Sequence, residues 1–449
     1  MFANKLIITA SLMFGLVSLA HATPRIQHWQ TPSGAQVYFV ENHDLPMLDI
    51  AVSFPAGSGF DRAEKSGLAG MTHGLLALGS EGMNEDDSAR RLADIGAQMG
   101  GSFDSDRSGF ALRTLSSKAE REEALAILSA VLQHPLFPED VLVREKARLI
   151  AALKEAETKP ESIAGKAFGK AAFGNHPYGL PPAGEIESVE KLQRADLQTF
   201  YAGHYGAHSA IVALMGDLNR TEAEAIAQSL TSQLPAGGAS SEIAAVVKPE
   251  SASMLRIPHP ATQSHILIGA PGVARNDPDY FALYVGNYIL GGGGFVSRLM
   301  NEVREKRGMA YSVYSYFIPM QQPGPFQIGL QTRKDQADEA LKLVNKILHD
   351  FIEHGVTEKE LVAAKQNIIN GFPLRIDSNR KILDYLSAIG FYHLPLTYLD
   401  DFPSRVSKVT AADIQAAFKR KVNPDALATV IVGAPEEKNQ TEKSEGTVK

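Results

Sequence analysis

Glu123-Ala124-Leu125-Ala126-Ile127-Leu128 is echoed by Glu339-Ala340-Leu341-Lys342-Leu343-Val344, 216 residues further along the chain. Outward from that pair, Pro138-Glu139-Asp140-Val141-Leu142 followed by Lys146 aligns with Thr357-Glu358-Lys359-Glu360-Leu361 followed by Lys365, at an offset of 219. Ala195-Asp196-Leu197-Gln198 matches Ala412-Asp413-Ile414-Gln415, and Gly216 matches Gly433, both at 217. Ordered matches at nearly one offset point to an internal duplication. Coincidence between amphipathic helices is the alternative.

Each half carries alternating strand-like runs such as Leu48-Asp49-Ile50-Ala51-Val52-Ser53-Phe54, then helical patterns, then a closing strand, Ile211 to Met215 in one and Thr429 to Val432 in the other. This layout predicts an α+β fold of two homologous halves. Pro235-Ala236-Gly237-Gly238-Ala239-Ser240-Ser241 has the composition of a linker. The expected organisation is therefore a domain over 23–233, a linker over 234–250, a second domain over 251–436 and a solvated tail over 437–449.

The 449 residues are 44% hydrophobic and 21% charged, the balance of a globular protein of two to four packed domains. Lys5, the apolar run Leu6 to Ala20 and the small-residue step Ala20-His21-Ala22 form a signal-peptide pattern over 1–22, predicting export across the inner membrane into the periplasm. A transmembrane anchor is the competing reading. The run has about fifteen residues, fewer than the roughly 20 that span a bilayer, so no membrane anchor is expected after cleavage. Loss of Lys5 leaves the chain one unit more negative than its formal −7. No basic, aromatic-interleaved stretch stands out, which argues against nucleic acid as a partner. Absence of Cys excludes disulfides and thiolate metal sites.

Chemistry concentrates in Leu290-Gly291-Gly292-Gly293-Gly294-Phe295, Ser297-Arg298-Leu299-Met300 and Arg304-Glu305-Lys306-Arg307-Gly308-Met309-Ala310-Tyr311. Four consecutive glycines allow close backbone approach, although a plain flexible connection is the simpler reading. The spacing of neither a phosphate loop nor a dinucleotide fingerprint is present. Arg304 supplies a permanently charged fork and Tyr311 a neutral phenolic donor suited to a developing oxyanion. A helix ending near Gly308 would let Tyr311 open the next strand and turn back toward Arg304.

The run from Gly291 through Ser315 resembles the C-terminal-domain signature of the pitrilysin, insulinase and mitochondrial-processing-peptidase family. Phe54-Pro55-Ala56-Gly57-Ser58, Gly67-Leu68-Ala69, His176-Pro177-Tyr178-Gly179 and Phe200-Tyr201 stand in that family's order, so the resemblance covers about Trp29 to Ala434. It implies two LuxS/processing-peptidase-like halves, each an antiparallel sheet covered by helices. It also implies that Gly291, Gly292, Gly293 and Gly294 contact substrate, while Arg304 and Tyr311 bind it and assist at the transition state.

The family's zinc site needs His-x-x-Glu-His on one helix. Here the stretch reads Gly70-Met71-Thr72-His73-Gly74, so Gly70 and Gly74 stand at the imidazole positions and His73 at that of the catalytic Glu. With Glu145 matching the family's earlier acid, the third ligand position falls on Ala152. No metal is therefore expected in this chain. Glu145, Glu155 and Glu157 without imidazole make a poor zinc hydrolase, and a lone His73 reads as structural. His204 and His208 have i,i+4 spacing, but Gly203 and Gly206 argue against the helix that would make them ligands.

The resemblance implies a non-zinc-binding subunit of a heterodimeric metallopeptidase, inactive alone, that supplies peptide binding and transition-state stabilisation. Zinc is expected in a homologous partner subunit. Peptide is expected to add a strand to an exposed edge at Leu48 to Phe54, with Phe54 a substrate contact. The alternative is a catalytically inert scaffold or peptide-binding protein of the periplasm.

Overall fold

The computed structural model describes residues 25–238 and 242–434. The expected signal peptide over 1–22 and tail over 437–449 lie outside the described residues. In the first half the strands are β1 (Gln27–Gln30), β2 (Gln36–Glu41), β3 (Met47–Phe54), the short hairpin β4 (Gly79–Ser80) and β5 (Met83–Asn84), β6 (Gln98–Phe103), β7 (Ser108–Leu115) and β8 (Ile211–Gly216). The second half contributes β9 (Ser253–Pro258), β10 (Gln263–Val273), β11 (Ser312–Phe317), β12 (Gly324–Arg333) and β13 (Ala428–Ala434).

The first sheet runs β1-β2-β8-β3-β7-β6 and the second β9-β13-β10-β12-β11. Leaving β1 aside, the two orders are the same, strand for strand. The hands of pairing match too: β2 is parallel to β8 and β9 to β13, and every other neighbour is antiparallel. Gly216 is the last residue of β8 and Gly433 the penultimate residue of β13, with φ of 134° and 95°. A Cβ on Gly216 would lie 2.2 Å from the Met47 carbonyl oxygen, and one on Gly433 2.6 Å from that of Gln263. Both glycines let the closing strand touch the start of its neighbour, a close approach that a side chain forbids. The repeated segments of sequence fall on matching helices: Lys118–Gln133 with Ala337–His354, Glu139–Ala156 with Glu358–Gly371, and Arg194–His204 with Ala411–Lys421.

The halves exchange helices. Pro160–Phe173, a helix of the first half, packs Ala164, Phe168, Ala172 and Phe173 on Ala428, Val430 and Val432 of β13. Asn379–Phe391, from the second half, lies across β8, β3 and β2, where Gly390 presses against Tyr38 and Ile211. Each sheet thus needs the other half to cover one face. At about 25 cal/mol per Å² of apolar surface, this mutual burial holds the halves as one unit.

At the join, Asp106 in the β6–β7 turn is 1% exposed. Its carboxylate accepts hydrogen bonds from the hydroxyls of Tyr178 (2.5 Å) and Tyr392 (2.7 Å) and from the Gln321 N–H (2.8 Å). Tyr178 belongs to the first half; Tyr392 and Gln321 belong to the second.

One expectation is corrected here. Leu48 to Phe54 offers no edge, because β3 is paired on one side with β7 and on the other with β8. Phe54 is fully buried with its ring 5.0 Å from that of Tyr205, so it is a core side chain rather than a substrate contact. Asp49, the charged residue of this run, is itself buried and accepts two hydrogen bonds from Arg113 on the neighbouring strand.

Candidate functional site

In the second half, the helix Tyr280–Asn287 continues into a π-helical segment, Tyr288–Gly292. The reason for glycine there is proximity to β11: a Cβ on Gly291 would sit 2.4 Å from Ser315 Oγ and 2.5 Å from its backbone nitrogen. Asn287 seals this contact, donating to the Ser315 carbonyl at 3.1 Å and accepting from its hydroxyl at 2.7 Å. Gly291 is therefore buried packing, whereas Gly292 and Gly294 are exposed.

A second π-helical segment, Met300–Glu305, carries Arg304. Such segments are frequent at functional sites. The chain reverses at Gly308 (φ 61°), whose N–H bonds the Arg304 carbonyl at 2.8 Å, and Tyr311 then joins β12 through the Gln331 carbonyl at 3.1 Å. The turn brings the expected pair together. The Arg304 guanidinium carbon lies 5.9 Å from the Tyr311 ring centre and 5.3 Å from that of Phe295. Tyr311 is 76% exposed, and Phe295 and Val296 beside it are also open to solvent. The guanidinium thus sits beside two aromatic rings, with Nη1 3.8 Å from both Glu305 Oε1 and Met300 Sδ, and its planar N–H fork matches a carbonyl or carboxylate.

In the first half, Gly70, Gly74 and Ala152 line one cavity of about 470 Å³, with Met71, Phe103 and Leu149 as apolar walls. They come from two helices, Leu68–Leu76 and Glu139–Ala156. None of the three offers a donor atom, so the side chains at these positions do not fit zinc. Glu145 at the rim is held by Arg144 at 2.8 Å and Arg148 at 3.7 Å, and Glu155 pairs with Lys159. Among the described residues no group of His, Cys, Asp and Glu is placed to hold a metal.

His73 points instead toward the sheet. Its Nδ1 shares a 2.9 Å hydrogen bond with Ser108 Oγ, which is bonded in turn to Tyr205 Oη at 2.6 Å. Phe103 and Phe110 flank its ring at 5.5 and 5.1 Å. Burial pushes its pKa down to about 4, so it is neutral at pH 7. A Cβ on Gly101 would lie 2.5 Å from His73 Nε2, so the glycine of β6 makes room for the imidazole. The N-terminus of its helix, Leu68–Leu76, is held by Asp61, whose carboxylate accepts from the Gly67 and Ala69 N–H groups at 2.8 and 2.9 Å. Burial raises the Asp61 pKa to about 7 against the pull of those bonds.

The helix Arg194–His204 runs through Gly203, further than expected, and stops before Gly206. His204 ends it, stacked on Phe200 at 4.4 Å, while His208 lies in a separate turn. The two histidines therefore do not share a helical face.

The free edge that β3 lacks belongs to β6, the last strand of the first sheet, and its Phe103 borders the 470 Å³ cavity. Sequence reasoning missed it. The available signal was the pair Gly100-Gly101 inside a short strand-like run, since glycine in a strand marks close approach of another group.

Residues 37–185 match the family model described as insulinase (peptidase family M16), and residues 191–368 match the peptidase M16 inactive domain. The chain is 27% identical over 435 residues to the non-peptidase homolog YmxG of Helicobacter pylori, covering 96% of this chain and 98% of that protein. It is 26% identical over 413 residues to an uncharacterized zinc protease of Streptomyces coelicolor, covering 89% and 88%. A solved peptidase M16 inactive domain from Pseudomonas fluorescens superposes with a TM-score of 0.88 at 38% identity, covering 91% of this chain and 98% of that one.

Proposed function

The chain belongs to the peptidase M16 (insulinase) family and is similar to its inactive-type members, and we propose that it works as a non-zinc-binding subunit that holds peptide for a zinc-bearing homologous partner. The observation that carries this reading is a contrast within one chain. Arg304 and Tyr311 meet on an exposed surface, while Gly70, Gly74 and Ala152, which share one cavity, contribute no donor atom to it from their side chains.

In this reading the chain is exported to the periplasm and the partner's site carries the zinc that activates water. Peptide backbone pairs with the open edge of β6, where main-chain hydrogen bonds supply affinity without sequence preference. Arg304 donates from its fork to a peptide carbonyl, and the Tyr311 hydroxyl donates to the oxygen that gains charge as that carbonyl is attacked. Donors preset toward a developing oxyanion contribute about 3 to 4 kcal/mol each to transition-state stabilisation.

The test is Tyr311→Phe in a reconstituted pair with the zinc-motif homologue exported by the same cell. Turnover should fall by roughly 100-fold with assembly intact, and zinc should copurify with the partner only. Unchanged turnover would favour a second reading, an inert scaffold, which draws support from the likeness to a non-peptidase homolog of Helicobacter pylori.

A further inference from the structure

A cavity of about 540 Å³ runs along β11, bordered by every residue from Ser312 to Phe317 and, opposite, by Tyr280, Tyr284 and the exposed glycines Gly292 and Gly294. The Arg304 and Tyr311 pair stands at its Ser312 end. At the other end, just past Phe317, is Arg275, whose backbone N–H bonds the Met320 carbonyl at 2.8 Å. Asn287 occupies the Ser315 carbonyl midway, so the cavity is a channel beside the strand rather than a vacant strand position.

Arg275 is anomalous. Its Nε is buried and has no hydrogen-bond partner among the described residues. Its guanidinium carbon lies 5.5 Å from the rings of Tyr280 and Tyr392, but no ion pair among the described residues includes it. The acids nearest in sequence are committed elsewhere: Asp277 to Lys421, and Asp279 to Arg420 at 2.6 Å. Arg375, close enough to influence Tyr284 and Tyr385, has no ion pair among the described residues either. A buried N–H without an acceptor and a cation without an anion are both costly, and one carboxylate would satisfy both, since a guanidinium fork matches it with two parallel hydrogen bonds.

We propose that Arg275 receives a carboxylate of the bound peptide, from either an acidic side chain or a free C-terminus. The proposal rests on the reading of Arg304 and Tyr311 as peptide contacts and adds a substrate class and a ruler. An extended chain rises about 3.3 Å per residue, so the length of β11 places the carboxylate roughly six residues from the carbonyl held by the pair.

The test uses dansyl-labelled, C-terminally amidated dodecapeptides of Ser, Thr and Val in which one Glu is walked along the sequence. The Gln counterparts, and one Gln peptide with a free terminal carboxylate, complete the set. Binding to the mature chain, and to Arg275→Gln and Arg275→Lys, is read by fluorescence anisotropy, with thermal melts of each variant. Expected is one Glu position that binds about tenfold tighter than its Gln counterpart. Arg275→Gln should erase that difference while binding the Gln peptides as before, and Arg275→Lys should keep part of it. A preference for the free acid over the amide would identify the C-terminus as the source. Equal binding of all charged and neutral peptides by the wild-type chain overturns the role of Arg275 and leaves peptide holding intact. Survival of the preference in a folded Arg275→Gln also overturns it, and failure to bind any peptide overturns both readings.

Discussion

Asp106→Ala tests whether the halves are pinned where the structure places the pin. The substitution removes one buried acceptor and leaves the hydroxyls of Tyr178 and Tyr392 and the Gln321 N–H without their partner. Hydrogen bonds to a charged acceptor contribute about 1.5 to 3 kcal/mol each. Against that sum stands the cost of burying the carboxylate, which raises the Asp106 pKa above its ordinary range. The expected net loss is about 4 kcal/mol. Because two donors come from one half and one from the other, the loss should fall on the join, and a single calorimetric transition should separate into two. Urea midpoints for Asp106→Ala, Tyr392→Phe and the double variant form a cycle. A coupling of about 1 to 3 kcal/mol is expected for groups in one network. A loss below about 1 kcal/mol for Asp106→Ala, or strict additivity in the cycle, would refute the argument.

Acid should destabilise the chain through His73. Its folded pKa of about 4 lies below the ordinary value near 6.5, so stability from the neutral ring is complete above pH 6.5 and is lost as pH falls toward 4. The loss amounts to about 3 kcal/mol. Urea midpoints at pH 7 and 4.5 for wild type and His73→Gln should show a clearly smaller acid loss in the variant, and equal losses would discredit the assignment. Restoring the ligand set with Gly70→His, His73→Glu, Gly74→His and Ala152→Glu should create a site binding about one zinc per chain, since the family's arrangement needs three protein ligands. Metal analysis after dialysis reads this directly, and zinc no higher than in the wild type would mean that the three positions do not converge. A Cβ at Gly74 meets nothing within 4 Å and one at Gly70 meets the Pro182 carbonyl at 3.2 Å, so the second position is the tighter.

Several features were legible in residue order alone. The duplication was, because Gly216 and Gly433 occupy equivalent strand ends where only glycine fits, and the echoed segments sit on equivalent helices. So was the approach of Tyr311 to Arg304, since Gly308 lies within the seven-residue span between them and reverses only the nearby chain. The assignment of Gly70, Gly74 and Ala152 to the family's ligand positions came from motif spacing carried over from the family, and the fold sets the three around one cavity. These are local or inherited patterns, set by backbone sterics and by positions along single helices.

Tertiary structure alone decided which strand lies at an edge. The alternation in Leu48 to Phe54 says that a strand has two faces, but its neighbours are supplied by residues more than fifty positions away, and Arg113 turns the polar Asp49 into an interior group. The exchange of helices between halves was hidden for the same reason: Phe168 is apolar whichever sheet it covers, and only packing assigns it to β13. Arg275 likewise reads as an ordinary loop cation until the fold buries its Nε and directs Asp277 and Asp279 to other partners. Local sequence sets what each segment tends to form, and the pairing of distant segments sets what is left exposed, paired or unpaired.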